Sequence, residues 1–85
     1  MGVWGMMKTY LVGEEAICMQ SIKYYVIADK LKYGIRLESK KGTVVISDEV
    51  YFTEEEAEAY SIAEKMKRGQ VTLIGMIDVL DDLIA

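Results

Sequence analysis

The sequence has no histidine, no proline and a single cysteine in 85 residues. Without histidine, the chain lacks the commonest general acid or base, the commonest metal ligand and the usual activator of a serine or cysteine nucleophile. Cys18 alone cannot close an internal disulfide, which argues against a disulfide-stapled secreted domain and favours a reducing, cytoplasmic location. We therefore expect a protein that is not an enzyme and that has no catalytic, cofactor-binding or metal-binding residues.

Long apolar runs are also absent from the sequence. The longest, such as residues 24–28, fall far short of the roughly 18–20 apolar residues that a membrane-spanning helix needs. Residues 1–8 have neither a positively charged leader nor a small-residue cleavage site, so they make a poor signal peptide. The glycine-rich motifs of phosphate-binding loops do not occur. We expect no membrane segment and no nucleotide-dependent enzyme.

The composition fits one small hydrophobic core. Apolar residues make up 52% of the sequence and charged residues 28%, as in ordinary globular domains. A chain of this length forms one domain and buries only about 60–65% of the surface that its unfolded form exposes, so self-association would add to a thin margin of stability. We predict a single domain over residues 1–85, with residues 1–6 frayed.

Apolar and polar residues alternate through residues 7–51, with the period of two that places one row of a β-strand on a core and the other in water. The clearest core rows are Ile22, Tyr24, Val26 and Ala28, then Tyr33, Ile35 and Leu37, then Val44, Ile46 and Val50. Gly42 supplies a residue that is free to take positive φ before the last row. An additional strand over residues 7–12, turning at Gly13 and Glu14, fits the pattern. We predict an antiparallel meander of three to four strands.

A helix should follow the strands over residues 53–68. Thr53 and Glu56 match a capping box, and Gly69 fits the C′ position that ends a helix. The predicted core face of this helix consists of Ala59, Ile62, Ala63 and Met66.

A second helix is predicted over residues 72–84, with Thr72 as its cap. Its apolar stripe would be Leu73, Met76, Ile77, Leu80 and Leu83 or Ile84. The predicted fold class is therefore α+β, with two C-terminal helices packed on one face of the sheet.

Charge divides the sequence near Ser47. Residues 1–47 contain seven Lys and Arg against four acids, a net charge of +3, and residues 48–85 contain three against ten, a net charge of −7. The overall charge of −4 therefore describes a dipolar protein. An acidic surface attracts basic partners and repels nucleic acid.

The candidate partner-binding residues are all acidic: Asp78, Asp81, Asp82, Glu54, Glu55 and Glu58. We expect the three aspartates to share the polar side of the second helix and to oppose its dipole, at roughly 0.2–1 kcal/mol each. A divalent cation, a basic partner or plain solvation would account for them, but a cation usually needs about six oxygen ligands from a wrapping loop. The glutamates also suit the first turn of a helix, where acids are stabilising.

The opposite face of the sheet would display Lys23, Tyr25, Arg36 and Lys40, a set that could contact single-stranded nucleic acid. Asp29 and Glu38 interrupt these rows and the whole chain is acidic, so nucleic acid is disfavoured as a partner. Cys18 has no histidine to activate it and fits a small buried hydrophobe.

Several short motifs occur in order: Tyr24-Tyr25-Val26-Ile27, Tyr33-Gly34-Ile35-Arg36-Leu37, a capped acidic helix, Arg68-Gly69-Gln70-Val71 and Ile77-Asp78-Val79-Leu80-Asp81-Asp82-Leu83. Over roughly residues 21–84, this order resembles a family of small uncharacterised bacterial proteins with a Tyr-Gly-Ile strand and an Asp-rich C-terminal helix. The resemblance implies an intracellular α+β protein without an assigned catalytic residue, and it transfers no activity.

These observations favour a non-enzymatic protein that binds a partner protein with a basic surface through its acidic helices, without a cofactor. One alternative is an acidic inhibitor of phage or mobile-element type that occupies the nucleic-acid channel of a defence protein. Another is a structural homo-oligomer that pairs an exposed strand edge or buries Trp4, Met6 and Met7 between subunits.

Overall fold

The computed structural model describes residues 7–84. Its elements are β1 (Met7–Ile17), β2 (Gln20–Asp29), β3 (Lys32–Lys41), β4 (Val44–Thr53), α1 (Glu56–Arg68) and α2 (Met76–Ile84). The strands form one antiparallel sheet in the order β1-β2-β3-β4, and the two helices pack on one of its faces. The predicted α+β meander is confirmed, with four strands. The predicted frayed segment 1–6, which contains Trp4 and Met6, lies outside the described residues.

Two-residue turns join the four strands. Gly42 in the β3–β4 turn has the predicted positive φ, 62°. Cys18 and Met19 form the β1–β2 turn with φ of 47° and 66°, and Lys30 opens the β2–β3 turn with φ of 58°. Positive φ in such short turns matches the right-handed twist of the paired strands, but L-residues other than Asn and Asp adopt it at a steric cost.

The predicted turn at Gly13 and Glu14 is wrong. β1 continues through both residues to Ile17, because a bulge between Leu11 and Gly13 inserts an extra residue into the strand. The bulge shifts the alternation of side chains along β1. The alternation of apolar and polar residues is therefore interrupted at the bulge, and the sequence pattern placed the end of the strand there. The strand itself continues beyond the bulge.

The core lies between the helices and one face of the sheet. The strand side chains that fill it are Ile22, Tyr24, Val26, Ile35 and Leu37, and α1 contributes Ala59, Ile62, Ala63 and Met66. The predicted rows of β2 and β3 and the predicted face of α1 are confirmed. The Tyr24 hydroxyl donates a 2.7 Å hydrogen bond to the Val71 carbonyl oxygen, which ties the sheet to the segment between the helices.

Gly34 allows β4 to approach β3 closely where their register shifts. The shift falls between Tyr33 and Gly34. A Cβ atom at Gly34 would overlap the Val50 carbonyl oxygen and lie 2.7 Å from the Tyr51 Cα. Because the obstructing atoms belong to the backbone, a larger residue here would force the two strands apart.

α1 begins at Glu56, because Thr53 is held in the sheet as the last residue of β4 and pairs with Tyr33. Its N-cap is Glu55, whose side chain makes no capping hydrogen bond. The Thr53 hydroxyl oxygen accepts a 3.1 Å hydrogen bond from the Glu55 amide, and the hydroxyl donates to the Glu58 carboxylate. The predicted capping box between Thr53 and Glu56 is therefore wrong.

α1 ends at Arg68 as predicted, but Gly69 does not occupy the C′ position. Gly69 is the C-cap with φ of −83°, and Gln70, with φ of 53°, takes the left-handed conformation. The Gln70 amide donates to the Lys67 carbonyl and the Val71 amide to the Met66 carbonyl, each at 3.0 Å. This is the hydrogen-bond pattern of a Schellman motif, shifted by one residue from the position that the glycine predicted.

The second helix starts later than predicted. Residues 72–75 form a turn, in which the Gly75 amide donates to the Thr72 carbonyl and the Met76 amide to the Leu73 carbonyl. This three-residue spacing is typical of a 3₁₀ turn, so Thr72 does not cap α2.

The buried side of α2 is also rotated relative to the predicted stripe. Met76 and Leu80 are buried, while Leu73, Val79 and Leu83 pack against the core from its margin. Ile77 and Ile84, predicted to lie in the core, face solvent. Asp78 falls in the first turn of the helix, where its charge favours the dipole instead of opposing it.

Candidate protein-interaction surface

The outer side of α2 combines exposed isoleucines with exposed aspartates. We define the outer α2 face by six exposed residues, Ile74, Ile77, Ile84, Asp78, Asp81 and Asp82. Ile77 and Ile84 are 46% and 44% exposed, and Ile74, in the turn before α2, is 96% exposed. Because helix residues three and four apart are neighbours, Asp81 lies between Ile77 and Ile84. The face therefore combines exposed isoleucines with acids, and Asp81 lies within the isoleucine row.

The negative charge of this face is not neutralised within the described chain. Among residues 7–84, the Lys and Arg nitrogens within 4.0 Å of a carboxylate are those of Arg36, on Glu38 at 3.9 Å, and Lys67, on Glu15 at 3.3 Å. The last turn of α2 has no basic residue, so Asp81 and Asp82 do oppose the helix dipole, as predicted. The charge is therefore free to attract a basic group.

The second predicted acidic stretch lies at the junction of β4 and α1. Glu54, Glu55 and Glu58 are exposed there. Glu58 accepts the hydrogen bond from Thr53 and stands in the first turn of α1, where an acid is stabilising. Local structure thus accounts for Glu58, and no isoleucine stripe accompanies this stretch.

The aspartates of α2 do not converge on a cation. Within the part of the chain that the structure describes, no group of three or more His, Cys, Asp or Glu side chains could hold a metal ion. A hard cation needs oxygen ligands that surround it, and carboxylates on the outside of one helix do not. The arrangement therefore gives the cation interpretation no support.

A second exposed apolar patch lies at the tip of the β3–β4 hairpin. Val44, Val45 and Ile46 are 58%, 54% and 58% exposed, so the core row predicted for Val44 and Ile46 is wrong at this end. Lys40 and Lys41, which lie opposite Val45 and Val44 in the sheet, are exposed as well. We define these five residues as the basic hairpin tip. The three apolar residues begin the edge strand β4, and the two lysines end its neighbour β3.

On the uncovered face of the sheet, bases lie beside acids. The residues predicted for this face were Lys23, Tyr25, Arg36 and Lys40, and the cross-strand pairs Lys23–Glu38 and Tyr25–Arg36 align them on one side. The Glu38 carboxylate accepts a 3.4 Å hydrogen bond from the Tyr25 hydroxyl in addition to its ion pair with Arg36. Cross-strand pairs of opposite charge stabilise a sheet but leave no continuous positive groove for a nucleic acid strand.

A model of a family of unknown function (DUF6514) matches residues 6–85. The chain belongs to this family. No curated protein and no solved structure matches the chain. Membership of DUF6514 confirms the expected placement in an uncharacterised family, while the bacterial origin and the Tyr-Gly-Ile and Asp-rich motifs stay predictions.

Among residues 7–84 of this DUF6514 chain, no helix is long and apolar enough to cross a membrane.

The surface of the described residues has two clefts, each with a volume of about 310 Å³. This volume is at the lower end of the volumes of ligand pockets. One is lined by Lys32, Tyr51, Phe52, Thr53 and Glu54, the other by Glu14, Ser21, Lys23, Glu38, Lys40 and Val45. Burial and the charges of Glu49 and Asp29 raise the pKa of Tyr51, which makes its phenol a poorer proton donor near neutral pH.

Sequence reasoning missed the two apolar patches of the DUF6514 chain and misplaced its cysteine. Cys18 is exposed in the β1–β2 turn, because β1 continues to Ile17 and Cys18 is the first residue after it. Residues 44–46 are three consecutive apolar residues, and a hydrophobicity pattern assigns such a run to the interior, so the sequence carried no signal of their exposure. Ile77 and Val79 make α2 apolar around more than half its circumference, so the sequence alone could not decide which of them faces the core.

Proposed function

We propose that this chain is a non-enzymatic binding module that acts through contact with a partner protein, and that the outer α2 face is its binding site. The observation that supports this most is the coincidence of exposed isoleucines and unpaired aspartates on one side of a single helix. A purely solvated helix face has no need of three exposed isoleucines, which cost solubility without adding to the core.

The chemistry of the face defines the partner. Isoleucines on a helix fit an apolar groove, in the way that amphipathic helices bind grooves generally. Complete burial of each isoleucine side chain would contribute about 1.5–3 kcal/mol before the costs of association. The flanking aspartates favour a groove with lysine or arginine on its rim, which would orient the helix and speed association. The proposed partner is a protein with a basic, apolar groove, in a cytoplasmic location.

The experiment is affinity capture from nuclease-treated lysate of the source cell, with three matched variants. The first reverses the charges of the outer α2 face (Asp78→Lys/Asp81→Lys/Asp82→Lys). The second removes its apolar stripe (Ile77→Ser/Ile84→Ser). The control makes the same charge change at the other acidic stretch (Glu54→Lys/Glu55→Lys/Glu58→Lys). Far-UV circular dichroism establishes that each variant is folded.

We expect one stoichiometric partner that is retained by the control and lost from both α2 variants. Loss from every charge variant but not from the isoleucine variant would mean that net charge alone holds the partner. Retention by both α2 variants would place the site elsewhere on the chain and contradict the proposal.

A second candidate function is the acidic inhibitor of a nucleic-acid-binding defence protein. The net charge of −7 over residues 48–85 favours it, because such a surface can occupy a channel built for phosphates. It differs from the first in one measurable way: a nucleic acid would compete with the chain for the partner. Binding would also weaken as the salt concentration rises, because exposed charges on both proteins are screened. Absence of competition would reject this candidate and leave the groove-binding module.

A further inference from the structure

The basic hairpin tip is apolar on both sides of the sheet. Side chains alternate along a strand, so Val45 lies on the uncovered face while Val44 and Ile46 lie on the face that carries the helices. All three are more than half exposed. The tip also contains the start of β4, an edge strand whose outer main-chain groups pair with no other strand within residues 7–84. An exposed apolar edge of this kind is a ready site for contact with another chain.

The tip and the outer α2 face are complementary in charge and in the spacing of their residues. In the sheet, each valine has a lysine opposite it on the neighbouring strand, Val45 with Lys40 and Val44 with Lys41, at about 5 Å. On α2, Ile77 has Asp81 one turn further along, at about 6 Å. The two pairs lie on opposite faces of the sheet, so α2 can lie on one of them at a time, with isoleucine covering valine while aspartate meets lysine.

The turn between β2 and β3 serves as an internal comparison. It also exposes bases, Lys30 and Lys32, but only Leu31 lies between them. It offers no run of apolar residues for the isoleucines to cover. Charge alone would allow α2 to bind either turn, whereas charge and apolar surface together select the β3–β4 tip.

We propose that a second copy of this chain is a partner of the outer α2 face, and that the basic hairpin tip of each copy binds the outer α2 face of the other. Every chain carries both surfaces, so a dimer with two-fold symmetry contains two identical tip–α2 contacts. No tip and no α2 face is left free, and the assembly stops at two chains. A head-to-tail arrangement with only one contact per pair would leave a free tip and a free helix at its ends. The inference rests on the proposed function, because it uses the same face of α2; in place of a groove it names a hairpin tip with the same basic and apolar chemistry.

The test exchanges charges between the two surfaces. One variant has an acidic tip (Lys40→Glu/Lys41→Glu), and the other has a basic α2 (Asp78→Lys/Asp81→Lys/Asp82→Lys). Alone, the first would place acid against acid and the second base against base. Mixed, the acidic tip of the first meets the basic α2 of the second, and the basic tip of the second meets the acidic α2 of the first. The matched control carries Lys30→Glu/Lys32→Glu at the other turn.

Molar mass is measured by light scattering and by sedimentation over 1–500 μM, in 50 mM salt. We expect the wild type and the control to reach twice the 9.6 kDa of the chain, and each exchanged variant alone to remain at 9.6 kDa with a dissociation constant raised at least tenfold. The mixture should regain the double mass. Circular dichroism of each variant establishes that it is folded. We expect all of them to fold, because the substituted residues are exposed.

Three results would overturn the inference. A wild type that stays at 9.6 kDa throughout would exclude self-association, while leaving the proposed binding of another protein to be decided by the capture experiment. A double mass that persists in both exchanged variants would place the interface elsewhere, for example along the β4 edge. Variants that are monomeric alone and also when mixed would show that the tip and α2 do not contact each other.

Discussion

Tyr24 is the residue that most directly connects the layers of the molecule. Its ring is fully buried among the core residues, and its hydroxyl donates to the Val71 carbonyl between the helices. Burial, together with the charge of Glu15, raises the pKa of Tyr24 to about 12. A buried phenolate would lose both its hydration and this hydrogen bond, so the fold favours the neutral form.

The raised pKa predicts loss of stability in alkali. Below pH 10 the tyrosine is neutral in both the folded and the unfolded chain, and its stabilising effect is complete. Between pH 10 and about 12 the unfolded chain ionises first, and the free energy of unfolding falls by roughly 2–3 kcal/mol on account of this residue. Urea denaturation of the wild type at pH 8, 10, 11 and 11.5 measures the fall.

Tyr24→Phe separates this residue from the other tyrosines. At pH 8 the variant should be about 1 kcal/mol less stable than the wild type, because the Val71 carbonyl loses its donor. The difference should shrink above pH 10 and reverse before pH 12, since the phenylalanine has no proton to lose. Parallel curves for the two proteins across this range would show that Tyr24 ionises as readily in the folded chain as in the unfolded one.

At the scale of elements, α2 shows how a sequence pattern can identify a helix and misplace its faces. Met76, Leu80 and Leu83 have the right spacing for a core stripe, and the helix exists where they predict it. Val79 would extend that stripe on one side and Ile77 on the other. A core face that includes Val79 and a core face that includes Ile77 both satisfy the helical period. The packing of α2 on α1 decides between them, and that information lies outside the segment.

Element ends were harder to predict than element interiors, for related reasons. The rows of β2 and β3 and the face of α1 are repeated patterns, in which each residue supports the assignment of the next. The start of α1 depends on the pairing of Thr53 with Tyr33. Its end depends on Gln70, which takes the left-handed conformation that the sequence assigned to Gly69, one residue earlier. Single long-range contacts of this kind leave no periodic signal in the sequence.

The acidic residues of α2 give a prediction that separates stability from binding. Asp81 and Asp82 lie in the last turn, where they oppose the helix dipole, whereas Asp78 lies in the first turn and favours it. We expect Asp81→Asn/Asp82→Asn to raise the free energy of unfolding by about 0.5–1 kcal/mol and Asp78→Asn to lower it by about 0.3–0.5 kcal/mol. Urea denaturation in low salt measures both variants.

The same three positions matter to the proposed function in the opposite way. If the outer α2 face binds a basic partner, the more stable Asp81→Asn/Asp82→Asn variant should capture less of it. Equal stability of the two variants would contradict the dipole argument, and equal capture would indicate that these carboxylates are only solvated. The acids of the last turn would then have no compensation for the stability that they cost.

At the scale of the whole molecule, the helices cover one side of the sheet and leave the other uncovered within residues 7–84. The fold class could be predicted, because strands with one apolar row followed by amphipathic helices have few other arrangements. The binding surfaces could not, because the exposed residues at the hairpin tip and on α2 are apolar and read as core in any pattern based on hydrophobicity. Their exposure is a property of where the helices end on the sheet.

The layered arrangement predicts an order of local stability. The middle parts of β2 and β3 are paired on both sides and carry buried core residues, so their amides should exchange with solvent only when the whole domain unfolds. α2 packs chiefly on α1 and exposes its outer face, so its amides should exchange through local opening, at a free energy at least about 2 kcal/mol lower. Hydrogen exchange read by mass spectrometry or NMR on the full chain measures both.

Protein concentration then links this order to self-association. If a second copy covers α2, its amides should exchange several-fold more slowly at 500 μM than at 5 μM, while those of β2 and β3 stay unchanged. The variant Lys40→Glu/Lys41→Glu provides the comparison, because it alters the tip and leaves α2 intact. Equal protection of α2 and the central strands would mean that α2 opens only with the whole domain. An effect of concentration that persists in the variant would mean that something other than the hairpin tip covers α2.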